Sequence, residues 1–98
     1  MILQVTFRSI AQLEFHEAAV WYDNRSPGLG LQFIESVESL VEQISRSPEI
    51  FPKVTSQTRR AILRRFPYTI HFIVEPDQIV ILAVFHASRN PSHLQDRY

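Results

Sequence analysis

The sequence predicts an α+β fold: an N-terminal strand, an antiparallel helical hairpin, then antiparallel strands in a small twisted sheet with the helices on one face. Three observations carry that reading. Apolar residues recur at helical spacing through two adjacent early segments. Two apolar strand-like runs, Tyr68–Glu75 and Gln78–His86, flank a Pro76-Asp77 turn. Proline punctuates the chain, ending the second helical segment at Pro48 and interrupting the strand-like residues at Pro67. The chain of 98 residues reads as one domain, 1–98.

Ile2 to Arg8 alternates loosely and carries β-formers, so it reads as the first strand. Ser9 is a candidate N-cap for the segment that follows. There Ala11, Phe15, Ala18 and Tyr22 recur at helical spacing, and Leu13 and Trp21 are expected to widen the apolar face. The helix should stop within Asp23 to Ser26, where polar turn-formers accumulate. Pro27 can occupy a first helical position, with regular helix from nearer Leu29 because Gly28 and Gly30 loosen the start. Phe33, Ile34, Val37, Leu40, Val41 and Ile44 then give a strong three-four repeat that Ser47-Pro48 ends. A short loop between two such helices predicts a hairpin.

Pro48 to Gln57 is irregular, and Arg59 to Phe66 reads as a strand. If Pro76-Asp77 is a two-residue turn, Val74 pairs with Ile79 and Phe72 with Ile81. Side chains alternate faces along a strand. One face then carries Tyr68, Ile70, Phe72, Val74, Ile79, Ile81, Ala83 and Phe85, and belongs under the helices. The other carries Thr69, His71, Ile73, Glu75, Val80, Leu82, Val84 and His86. Arg60 and Arg64 should join His71 and His86 there, opposite the inward Ala61 and Leu63. The sheet is thus expected to show a partly apolar, partly basic open face, the kind of exposed patch that marks a partner site.

Ten basic residues balance ten acidic ones, so net charge is zero. A protein that lives on a phosphate backbone carries a positive excess; any such contact here would rest on the local cluster of Lys53, Arg59, Arg60, Arg64 and Arg65. The absence of cysteine excludes disulfides, thiolate catalysis and thiolate-ligated metal, and fits a cytoplasmic protein. The N-terminus lacks a signal-peptide pattern. The longest apolar run, Ile79 to Phe85, is too short to cross a bilayer, so no membrane partner is expected. His71 and His86 should lie roughly 13 Å apart on one face, too far to share an ion, and no metal or other cofactor is expected. Trp21-Tyr22 reads as core and hairpin packing. Pro27-Gly28-Leu29-Gly30 lacks the Lys-Ser/Thr of a phosphate loop and reads as a connection between helices.

Taken as a set, Trp21-Tyr22, Pro27-Gly28-Leu29-Gly30, Arg64-Arg65-Phe66-Pro67-Tyr68 and the Phe85 to Pro91 exit resemble the RelE/ParE superfamily of bacterial toxins. The resemblance covers nearly the whole chain. It implies a type II toxin held inactive by a co-expressed antitoxin, with any oligomer formed through that antitoxin. It also implies one of two activities. RelE-like members cut messenger RNA in the ribosome; ParE-like members poison DNA gyrase. Cleavage needs basic groups that stabilise charge at the scissile phosphate and move protons. Carried onto this chain, Arg60 and Arg89 match two of the basic positions, with His86 a candidate proton carrier. Ile62 and Thr69 fall where two others would be, and Gln95 falls near a C-terminal tyrosine position, where His93 or Tyr98 would have to substitute. The half-missing set and the zero net charge lean towards the ParE-like side. The antitoxin is expected on Arg60, Arg64, His71, Ile73, Val80 and Leu82. The alternatives are a ribosome-dependent endoribonuclease and a degenerate, non-toxic module that keeps only antitoxin binding.

Overall fold

The computed structural model describes residues 2–88. In chain order these are β1 (Gln4–Phe7), α1 (Ser9–Arg25), α2 (Leu29–Arg46), a 3-10 turn at Pro48–Ile50, β2 (Thr58–Ile62), β3 (Tyr68–Val74) and β4 (Gln78–His86). The four-stranded sheet has the order β1-β4-β3-β2. β2, β3 and β4 run antiparallel, and β1 closes the other edge parallel to β4. The helical hairpin packs on one face.

The helix boundaries follow local chemistry. α1 ends at Arg25 and α2 begins at Leu29, where the turn-formers and the glycine pair place them. Gly28 has φ 89°, a left-handed conformation that side chains other than glycine's resist. Asp23 Oδ1 accepts hydrogen bonds from Gly28 N–H at 3.0 Å and Gly30 N–H at 3.2 Å. A carboxylate from the end of α1 therefore caps the positive end of α2. Gly30 lets the helices touch: a Cβ there would lie 2.6 Å from Ala19 O. Ser9 does not serve as the N-cap. Helix begins at Ser9 itself, Arg8 holds the extended cap position, and no side chain bonds the first turn.

The main core joins Phe33, Val37 and Ile44 of α2 and Ala11 and Ala18 of α1 to Ile70, Phe72, Ile79 and Ile81 of the sheet. Tyr22, Phe33, Phe66 and Tyr68 form an aromatic box at its end, with centroids 4.9 to 6.1 Å apart. Leu13 and Trp21 depart from expectation. They are 54% and 50% exposed, and do not widen the inner face of α1. At ~100° per residue Leu13 falls about half a turn from Ala11 and Ala18, so the helix carries apolar residues on two sides.

The hairpin register agrees with the sequence reading as far as Phe72: Val74 pairs with Ile79, Ile73 with Val80 and Phe72 with Ile81. A bulge then intervenes. His71 pairs with Ala83 rather than Leu82, so the register shifts by one residue at Leu82. One added residue inverts the parity of everything beyond it. Val84 turns into the main core, whereas Ala83 and Phe85 join Val80 and Leu82 in a second cluster on the opposite face. Phe85 is buried, as a core residue should be, but not against α2. β2 is also shorter than Arg59 to Phe66; it ends at Ile62, and the chain bends through Arg64 to Pro67.

Candidate partner-binding face

The face opposite the helices carries Arg60, Thr69, His71, Ile73, Val80, Leu82 and Phe85. Arg60 pairs with His71 across β2 and β3, so the two side chains share this face. His71 is buried. Its ring lies 5.4 Å from that of Phe85, and its Nε2 shares a 3.0 Å hydrogen bond with Thr69 Oγ1. Ile73 is half-buried over the Val80–Leu82 cluster.

The sequence placed an exposed apolar patch here. Of the residues expected here, Val80 and Leu82 are present but buried, 5% and 0% exposed, and the solvent-facing part includes Ile73 and Arg60. The bulge contributes to this, because it brings the Phe85 ring onto the face beside His71.

Arg60 is the electrostatic feature of that rim. It is half-buried, and its Nε is fully enclosed with no hydrogen-bond acceptor among the described residues. An enclosed guanidinium N–H without an acceptor costs free energy until something supplies an oxygen. Its neighbour Arg59 is already used: Nη1 donates to Phe51 O at 2.7 Å and holds the irregular segment before β2. That segment also covers the strand edge, with Arg60 N–H donating to Pro52 O.

Two of the expected face residues lie elsewhere. Arg64 is beyond the end of β2, exposed, and lines a groove against α2 with Gln32 and Glu35. It points to the helical side because the strand ends at Ile62 before alternation could carry the arginine to the open face. Arg65 stands beside it and donates to Gln32 Oε1 at 3.2 Å. His86 is the second. It pairs with Tyr68, a residue of the helical face, and its ring meets the Tyr68 ring edge-on at 5.3 Å. The bulge moved it there. Its Nδ1 lies 2.8 Å from Ser88 Oγ and 3.2 Å from the Ser88 backbone nitrogen. His71 and His86 are therefore on opposite faces.

The candidate cleavage set is accordingly split. Arg60 and His86 stand on opposite sides of the sheet, and Arg89 lies outside the described residues, as do His93, Gln95 and Tyr98. Of the two other positions, Ile62 is an exposed apolar end of β2 and Thr69 is a buried hydroxyl bonded to His71.

Sequence reading missed the role of Glu14. Its Oε1 accepts the Val84 N–H at 3.1 Å, so a carboxylate of α1 holds the strand just past the bulge. The only signal was an acidic residue one turn from Ala11 and Ala18, beside the buried side of the helix.

A family model described as ParE toxin of type II toxin–antitoxin system, parDE, matches residues 5–91. No curated protein sequence matches. Among solved structures, a chain of the chromosomal ParDE TA system from P. aeruginosa is similar. It is 18% identical with a TM-score of 0.64, and the match covers 87% of this chain and 96% of that one. At that identity the likeness speaks for the fold.

Proposed function

Since the chain belongs to the ParE toxin family of type II toxin–antitoxin systems, we propose that it is the toxin of such a pair, neutralised by a cognate antitoxin, and that it acts in the cytoplasm by binding a target such as DNA gyrase rather than by cutting RNA. The observation that carries the choice is the split of the basic set. A cleavage site must hold its charge-stabilising and proton-moving groups within reach of one phosphate. Arg60 and His86, separated by the thickness of the sheet, do not meet that requirement. A binding poison needs only a contact surface.

The antitoxin docks on the Arg60 rim of the sheet. Apolar anchors meet Ile73, which Val80 and Leu82 support from beneath, and an Asp or Glu carboxylate pairs with the half-buried Arg60 guanidinium. The enclosed, acceptor-free Nε supports that placement. Arg60→Glu should weaken the complex and flatten its dependence on salt. Arg64→Glu, on the helical side, should change it little.

Brief induction of the chain alone separates the mechanisms. Expected are trapped DNA–gyrase complexes and DNA-damage signalling, with no discrete cuts by primer extension on total RNA. Cuts inside translated codons that vanish with Arg60→Ala or Arg89→Ala would establish the endoribonuclease instead. Growth unaffected by induction would leave an antitoxin-binding module without toxicity.

A further inference from the structure

The groove between α1 and the far end of the β3–β4 pair lies on the helical side, away from the antitoxin face, and serves no step of the function above. It has a volume of about 590 Å³, and its walls include Glu14, Glu17, Trp21, Tyr22, Tyr68 and His86. We propose that this groove seats an arginine side chain of a partner protein, carried on a segment with apolar residues on either side of it.

Three observations converge on a guanidinium. The first is the arrangement of rings. Trp21 and Tyr22 meet edge-on at 5.1 Å, Tyr22 and Tyr68 lie 6.1 Å apart, and Tyr68 meets His86 at 5.3 Å. A cluster of aromatic walls around an open space offers several faces to a cation. One face of Trp21 already carries a guanidinium of this chain, Arg25 Cζ at 4.3 Å from its ring centroid, and the rings that line the groove offer further faces.

The second is charge. Glu17 is exposed and has no ion-pair partner among the described residues. Glu14, held by the Val84 N–H, adds a second carboxylate to the same wall. Burial pushes the Tyr22 and Tyr68 hydroxyls above their ordinary pKa, so both phenols stay neutral and the negative charge is the carboxylates' own. An arginine fits this better than a lysine, because its planar head stacks on rings while pairing with a carboxylate through two N–H groups.

The third is the outer side of α1. Leu13 and Val20 are 54% and 45% exposed and flank Glu17 by about one turn each way. Apolar residues on both sides of a lone carboxylate offer a partner segment contact area beside the ion pair. The inner side has α2 and the sheet. The outer stripe runs past the groove and fits apolar residues next to the arginine. The acidic wall disfavours an anionic membrane or nucleic acid as the occupant.

Trp21 is the sole tryptophan of the chain, so its fluorescence reports on this groove alone. The full-length protein is titrated with a blocked heptapeptide bearing a central arginine between leucines, and with its citrulline twin, which keeps the shape and removes the charge. The arginine peptide should give a saturable change. Citrulline, or Glu17→Gln in the protein, should weaken it at least ~10-fold, and salt should weaken it further. Glu17 is exposed, so its substitution leaves the fold intact, and a melting curve checks that. Equal binding of the two peptides, binding indifferent to Glu17→Gln, or no saturable change at millimolar peptide would each overturn the proposal. The toxin reading would stand in all three cases, since it rests on the family match over residues 5–91.

Discussion

Gly30→Ala is the sharpest test of the helical hairpin, because two effects of opposite sign meet at that residue. Alanine gains up to ~1 kcal/mol of helix propensity over glycine, less in a first turn. Against that, its Cβ would fall 2.6 Å from Ala19 O and 2.8 Å from Asp23 Cβ. Ala19 O is backbone inside α1 and cannot rotate away. The helices would have to part by roughly 0.5–1 Å, which forfeits a quarter to a half of the dispersion contacts along the seam. The Asp23–Gly30 capping bond, already 3.2 Å, would lengthen with them. Overpacking of this kind costs typically about 1–3 kcal/mol, and a lost cap about 1 more. The clash therefore wins, with a net loss of about 1–3 kcal/mol. In a domain of this size that lowers Tm by roughly 5–15 °C. The assay is a thermal melt followed by circular dichroism, with urea unfolding alongside. An unchanged or raised Tm would mean that the helices are not in contact at Gly30, and the hairpin geometry argued above would be wrong.

Phe72→Ala should cost about 3–5 kcal/mol in urea unfolding, because Phe72 is fully buried in the main core and meets Phe51 at 5.9 Å; a loss under 1 kcal/mol would place Phe72 outside that core. Alkaline pH should destabilise the protein through Tyr22 and Tyr68. Desolvation by burial raises both, and for Tyr68 the nearby Tyr22 adds to it. Their folded pKa values therefore lie above the unfolded value near 10, so their contribution is full below ~10 and is lost as pH rises through the folded values. Tm measured from pH 8 to 12 should fall less steeply in Tyr22→Phe/Tyr68→Phe than in the parent; parallel curves would remove this account.

How much was legible in the chain divides along physical lines. Helix limits, the hairpin turn and its first three pairs were readable because they depend on neighbours in sequence. Asp23 to Ser26, Gly28 and Pro76-Asp77 act through their own backbone preferences, and the three-four repeat of α2 marks its buried side. The resemblance to the toxin superfamily was readable for the same reason, as it rests on short local elements. The bulge at Leu82 was not. Ile79 to Phe85 is apolar without interruption, so no alternation marks the residue where parity inverts. That single residue moved Phe85 to one side of the sheet and His86 to the other, and with them the membership of both candidate sites. Nor could the sequence show that β1 lies parallel beside β4, that Leu13 and Trp21 face outward, or that Glu14 bonds Val84, since each is a relation between segments distant along the chain. Local backbone and side-chain preferences are carried by the residues themselves. Which face a residue finally occupies depends on register, and register is decided only when the strands and helices pack against one another.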